Sequence, residues 1–277
     1  MRTPIAVGLL SLAVGCGTEH EEPVDPVEPL ARLDLRAAMN SADVHPVGFT
    51  LAADGTRFIL DENAGLLRVD GDHLVEVVSM SEMPDPGPTA PLVLPFTDLV
   101  AYSPHVFALT AIGDGYFLDT EAMTLTQHFC YLPGGEGGGG APVAVTQRTD
   151  AMAYDAVFGK LWAQPVTRDV AGTFIRSELA KYNVVNGDDE AWLPVSDDTA
   201  ATAMMVHGSN VKLGQGSKVS ERVLNVTALQ EIDDLERFGV KSIDGMAIDT
   251  STNRLIVVDQ ISDAMFDIDL AQTLIEP

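Results

Sequence analysis

The apolar residues of this chain come in short continuous runs bounded by Gly, Asp, Asn and Pro, such as Arg57-Phe58-Ile59-Leu60-Asp61, Val106-Phe107-Ala108-Leu109-Thr110 and Arg254-Leu255-Ile256-Val257-Val258-Asp259. No long segment sustains the i, i+3, i+4, i+7 spacing of an amphipathic helix. Short runs rich in β-branched and aromatic residues, closed by turn formers, predict strands. The chain therefore reads as all-β.

The runs recur in order. The clearest unit begins Ile243-Asp244-Gly245-Met246-Ala247-Ile248-Asp249 and turns through Thr250-Ser251-Thr252-Asn253. It continues with Arg254 to Asp259, Ala264-Met265-Phe266-Asp267-Ile268-Asp269 and Gln272-Thr273-Leu274-Ile275. Read as four strands with hairpin links, it has weaker copies opening at Val47-Gly48-Phe49, Thr97-Asp98-Leu99, Thr149-Asp150-Ala151 and Thr202-Ala203-Met204. The strand starts near 48, 98, 150, 202 and 244 are 50, 52, 52 and 42 residues apart. Blades of a β-propeller repeat every 40 to 50 residues or so. The expected fold is a β-propeller of about five four-stranded blades over residues 30–277. The segment Leu30-Ala31-Arg32-Leu33-Asp34-Leu35 supplies either an outer strand that closes the ring with the last blade or the remnant of a sixth blade. The strand-turn-strand unit, with Asp closing its first and second strands, resembles blades of the NHL-repeat, YncE-like and gluconolactonase-like propellers.

The N-terminus breaks the pattern. Met1-Arg2-Thr3-Pro4, an apolar stretch from Ile5 to Leu12 and the small residues Ala13-Val14-Gly15 have the three parts of a secretory signal. The apolar run is too short to span a bilayer. Cys16 follows directly, and Ala-Val-Gly-Cys resembles a bacterial lipobox, with Ala13 where the usual motif has Leu. The resemblance implies cleavage before Cys16, acylation of that residue (palmitate among the chains) and anchorage in the cell envelope. Gly17 stands where some bacteria use Asp for inner-membrane retention, so the expected address is the outer membrane. Residues 16–29, with Glu19, Glu21, Glu22, Pro23, Asp25, Pro26, Glu28 and Pro29, read as an acidic, Pro-rich tether. The expected organisation is signal peptide 1–15, tether 16–29 and propeller 30–277.

Charge narrows the partners. The formal net charge is −25, with 41 acidic against 16 basic side chains, and removal of residues 1–15 takes away one further positive charge, Arg2. Nucleic acid binding rests on clustered Lys and Arg, so it is excluded as an expected activity. With Cys16 acylated, Cys130 is the one remaining thiol of two, and no intrachain disulfide can form. Stability must come from the apolar core, for which 46% hydrophobic residues suffice.

Candidate chemistry gathers at the entry to each first strand. In a propeller these strands line the central channel, and three of them open on Asp98, Asp150 and Asp244. Convergent carboxylates at a channel mouth suit Ca2+ or another divalent cation. Asp244-Gly245-Met246 also resembles the Asp-Gly segment of gluconolactonase-like lactonases, which implies a metal-dependent lactone or ester hydrolase. The family's N-terminal Glu and its Asn-Gly segments have no counterpart at the matching places, since Asn183 and Asn186 fall around a third strand and the first blade opens with Pro46-Val47-Gly48, and Thr202 stands where the Asp would be in the fourth repeat. The other reading of these residues is that each Asp holds its own strand entry by hydrogen bonds to backbone amides.

Other motifs carry less. The stretch Gly-Gly-Glu-Gly-Gly-Gly-Gly at 134–140 lacks the Lys-Ser/Thr and strand-loop-helix context of a phosphate loop. His128 and Cys130 share one face of a strand without an identifiable third ligand. Asp54-Gly55 and Asp70-Gly71-Asp72 read as hairpin turns. Trp162 and Trp192 read as blade packing. The leading expectation is an envelope lipoprotein held by a lipid on Cys16, whose propeller serves as a binding scaffold for a protein or glycan partner. The alternative is a divalent-metal-dependent, lactonase-like hydrolase at the channel mouth.

Overall fold

Two-faced burial organises the molecule. In a computed structural model, Phe58 and Leu60 of one strand point into one apolar layer while Ile59 between them points into another. Leu255 and Val257 likewise oppose Ile256 and Val258. Neighbouring side chains on a strand face opposite ways, so a sheet packed on both sides needs apolar residues at consecutive positions. That is the origin of the continuous runs. The structure describes residues 26–87, 92–112, 114–130, 145–169, 171–184, 189–195, 200–207, 210–223 and 229–276; the signal segment, Cys16 and the Gly-rich stretch lie outside them.

The chain opens with β1 (Ala31–Asp34) and the short α1 (Leu35–Met39). Blade 1 is β2 (Pro46–Leu51), β3 (Arg57–Asp61), β4 (Gly65–Asp70) and β5 (His73–Ser79). Blade 2 is β6 (Phe96–Ala101), β7 (Val106–Ala111), β8 (Asp114–Asp119) and β9 (Thr124–Cys130). Blade 3 is β10 (Val145–Asp155), β11 (Lys160–Asp169), β12 (Phe174–Asn183) and β13 (Asp189–Val195). Blade 4 is β14 (Ala203–His207), β15 (Asn210–Gln215), β16 (Lys218–Val223) and β17 (Gln230–Asp234). Blade 5 takes β18 (Gly245–Asp249), β19 (Arg254–Asp259) and β20 (Ala264–Asp269) from the C-terminus and β1 from the N-terminus, in the order β18-β19-β20-β1. All pairings are antiparallel. The five-bladed propeller is as expected from the repeat.

Leu30–Leu35 closes the ring. Ala31 to Asp34 pair with Asp267 to Ala264, and the flanking Leu30 and Leu35 amides donate to Asp267 and Asp263 carbonyls, each at 2.8 Å. Gln272-Thr273-Leu274-Ile275, expected as the fourth strand of the last blade, is not a strand. Leu270–Gln272 form a 3-10 turn capped by Asp269, and the edge of β20 is already occupied by β1. Ile275 instead buries in the layer between blades 4 and 5.

The core is a set of five apolar layers, one at each blade interface. The layer between blades 1 and 2 is the aromatic one: Phe58 and Phe107 meet edge-to-face at 4.8 Å, and Phe96 and Tyr116 at 6.1 Å. Burying each such side chain contributes about 1.5–3 kcal/mol, so the layers outweigh any single polar contact. The inner strands β2, β6, β10, β14 and β18 contact one another in a closed cycle around the axis. Their N-terminal ends form one mouth of the channel and their C-terminal ends the other.

Candidate functional site

At the N-terminal mouth the inner strands enter through distortions. The pairing of β2 with β3, β6 with β7 and β10 with β11 each skips, at Val47, at Thr97 and at Asp150-Ala151. A bulge adds one residue to one strand and re-aims the side chains beside it. Glycine allows the strands to converge here. A Cβ on Gly48 would lie 2.6 Å from Asp98 Oδ1 and 2.9 Å from the Leu99 nitrogen, and one on Gly245 would lie 2.4 Å from Phe49 Cβ.

Asp98 is the most enclosed of the three strand-entry carboxylates. Its Oδ1 accepts from the Leu99 amide at 2.7 Å and its Oδ2 from the Met152 amide on blade 3, so the side chain ties two blades together. Burial pushes its pKa well above the ordinary carboxylate range, the two amides pull it back only in part, and the neighbouring Asp150 charge adds to the rise. Asp150 is paired with Arg148; burial raises its pKa against that partner's opposing pull. Asp244 accepts from the Gln260 amide at 2.7 Å within its own blade. Burial raises its pKa too, the Gln260 amide and Ser242 lower it, and Asp259 raises it again.

Thr202 occupies the corresponding entry of blade 4 and performs the bridging role of Asp98 with opposite polarity. Its hydroxyl donates to the Ile243 carbonyl of blade 5 at 2.6 Å. The other interfaces have bridges of their own. Thr50 Oγ1 accepts from the Ala101 amide at 3.0 Å between blades 1 and 2, and Gln164 Oε1 accepts from the Ala201 amide at 3.0 Å between blades 3 and 4. Thr97 donates to the Thr149 carbonyl beside the Asp98 bridge.

Asp98, Asp150 and Asp244 thus share a mouth, and each carboxylate has a different local partner. Among the described residues no group of three or more His, Cys, Asp or Glu side chains is arranged to hold a metal ion. Asp61 and Asp259, which close the second strands of blades 1 and 5, are fully buried and do the same work at hairpins. Asp61 accepts from the His45, Asn63 and Ala64 amides, and Asp259 from those of Lys241 and Ser262. Asp54-Gly55 is the turn expected, with Asp54 accepting from the Thr56 amide and Gly55 at φ +86°. His128 and Cys130 lie on β9, but their side chains are outside the described residues, as is the Trp192 side chain. Trp162 packs between blades 3 and 4.

The opposite mouth was not anticipated. It holds a cavity of about 230 Å³ walled by Leu51, Tyr102, Tyr154, Val206 and Ile248 at the ends of the five inner strands, with Met152, Met204, Met205 and Met246 deeper. Tyr102 stacks edge-to-face on both Tyr154, at 4.6 Å, and Phe117, at 5.1 Å. Its hydroxyl is buried without a hydrogen-bond partner among the described residues, and burial raises its pKa, so it stays neutral. A signal was present in the repeat. These five residues stand three places after Gly48, Leu99, Ala151, Ala203 and Gly245, and every one is apolar or aromatic.

No family model and no curated protein significantly matches this chain. Two solved structures are similar to this chain over most of its length. A chain in the crystal structure of a nidogen/laminin complex is 11% identical, with a TM-score of 0.45 over 82% of this chain and 81% of that one. The extracellular domain of a hybrid two-component system from B. thetaiotaomicron is 11% identical, with a TM-score of 0.44 over 79% of this chain, which spans 28% of the other. Both are likenesses of fold.

Proposed function

We propose that the protein is an envelope lipoprotein, anchored through acylated Cys16, whose propeller is a non-catalytic interaction scaffold. The observation that carries the scaffold reading is the use made of the strand-entry aspartates. Asp98 accepts two backbone amides across a blade interface, Asp150 holds Arg148, and Asp244 holds the Gln260 amide. Each has a structural task in the place where a propeller hydrolase would need a free ligand. Anchorage rests on the Ala-Val-Gly-Cys sequence and the acidic, Pro-rich stretch after it. From Val27 the chain is fastened to the propeller: its amide donates to the Arg237 carbonyl at 2.8 Å and its side chain joins the layer between blades 4 and 5. A Pro-rich spacer of ten residues, the number between Cys16 and Val27, can span about 30 Å when extended. That is room to hold the propeller clear of lipid headgroups.

Feeding cells an alkyne analogue of palmitate tests the anchor. Label on the wild-type chain, with Cys16→Ser unlabelled and released from the membrane fraction, is the expected result; an unlabelled wild type refutes acylation. Crosslinking of intact cells tests the scaffold. Discrete adducts that survive divalent-metal chelation are expected, whereas a chain that forms none and hydrolyses lactones only with added metal would overturn the reading.

A further inference from the structure

The scaffold reading leaves open which face meets the partner, and the mouth lined by Leu51, Tyr102, Tyr154, Val206 and Ile248 has the physical properties of one. Its cavity of about 230 Å³ is below the roughly 300–1,000 Å³ of sites that enclose drug-sized ligands, so it suits a single side chain inserted from outside. Beside it, at the turn between β10 and β11, Val157 is 81% and Phe158 66% exposed. These two are not on a loose loop. Asp155 Oδ1 accepts from both of their amides, at 3.0 and 3.2 Å, and Gly159 completes the turn at φ +63°. Ala156 of the same turn lines the cavity, which makes the exposed aromatic and the cavity one surface. Rigidly presented aromatics beside a pocket are typical anchors of protein interfaces.

Charge says what kind of partner fits. The equivalent turns of blades 1 and 5 carry Asp54 and Asp249, whose pKa values are lowered by hydrogen bonds from Thr56 and from Ser251 and Thr252. The basic residues starting the next strands are already engaged: Arg57 and Arg254 with Asp267, and Lys160 with Glu190. Two carboxylates, Asp54 and Asp249, stand next in the chain to the cavity-lining Ala53 and Ile248, with His105 near Asp54; on a chain of net charge −25 this disfavours a second copy or an anionic surface.

We propose, resting on the scaffold reading, that this mouth docks a basic peptide segment of another protein. One apolar side chain of that segment enters the cavity beside Phe158, and its lysines or arginines lie against Asp54 and Asp249.

The test uses the full chain and a fluorescein-labelled hexapeptide of alternating lysine and phenylalanine, read by fluorescence anisotropy. Comparator peptides replace every phenylalanine by alanine or every lysine by glutamate. Saturable binding of the lysine/phenylalanine peptide alone is expected. Phe158→Ser and Ala53→Arg, both at exposed positions of this mouth, should each weaken it about fivefold or more. Ile261→Ser, exposed on the opposite face, should leave it unchanged. No binding, equal binding of either comparator, or wild-type affinity in both mouth variants overturns the proposal. Cellular crosslinks that persist in Phe158→Ser and Ala53→Arg would reject this mouth while sparing the scaffold; absence of crosslinks in the wild type would reject the scaffold itself.

Discussion

Arg57 on blade 1 and Asp267 on blade 5 form a two-pronged ion pair, Nη1 to Oδ1 at 2.8 Å and Nη2 to Oδ2 at 2.9 Å, between residues 210 apart in the chain. The carboxylate is nearly buried and also accepts from Arg254 at 2.9 Å. This pair lies at the one interface where the first and last blades meet. A ring closed by β1 pairing with β20 therefore has a second, side-chain clasp at the same junction.

The shared carboxylate makes the two halves of the clasp unequal. Arg57→Ala leaves Asp267 paired with Arg254 and should cost about 1 kcal/mol, whereas Asp267→Ala leaves two guanidinium groups without their common partner and should cost about 3 kcal/mol. Urea unfolding of both variants would show this order; equal losses would mean that Arg254 does not hold Asp267 once Arg57 is gone.

Gly48 is required by proximity, since its φ lies in the ordinary range. Gly48→Ala would drive a methyl group against Asp98 and the Leu99 backbone, at an expected cost of about 1–3 kcal/mol. Gly71→Ala, in an open turn at φ +64°, should cost less, about 1 kcal/mol, from backbone strain alone. Comparing the two melting curves separates crowding from conformation.

Acidification should stabilise the protein before it destabilises it. Asp98, Asp150 and Asp244 have folded pKa values raised from 3.8. Between 3.8 and those raised values the native state binds more protons than the unfolded chain, so stability increases as pH falls through the window. Asp54, Asp234, Asp249 and Glu190 have lowered values, so their contribution, present at higher pH, is lost as pH falls past 3.8 to 4.5 and below. Melting temperature should therefore rise as pH falls through the raised values and turn over once the lowered groups begin to protonate, and Asp98→Asn should flatten the rise. A melting temperature that falls monotonically from neutral pH down to about 4, with no rise anywhere above the ordinary carboxylate value, would refute the assignment.

Thr202→Val keeps the shape of the side chain and removes its bond to the Ile243 carbonyl. The expected loss is about 1–2 kcal/mol, with faster amide exchange at the interface of blades 4 and 5, and Thr202→Ser should retain most of the wild-type stability. Unchanged exchange in the valine variant would show that the apolar layer alone holds that interface.

The repeat of two-faced strands and turn residues made the architecture legible. Phe58-Ile59-Leu60 and Leu255-Ile256-Val257-Val258 are apolar at every position because both faces of a blade are covered, and Asp54-Gly55 is a turn whatever surrounds it. The positions of Asp98, Asp150 and Asp244 at strand entries were legible for the same reason. Their partners were not, because a strand entry looks alike whether its carboxylate binds its own blade, as in Asp244, or the next one, as in Asp98.

The sequence alone determined what depends on neighbours in the chain: the alternation of strand and turn, the spacing of five repeats, the strong negative charge and the export-like N-terminus. Tertiary structure decided what depends on closing the ring. Sequence separation does not settle which distant edge a strand will cover, so the choice of β1 as the closing strand of the last blade rather than a sixth-blade remnant, the Arg57–Asp267 clasp and the enclosure of the apolar mouth exist only once the first and last blades meet.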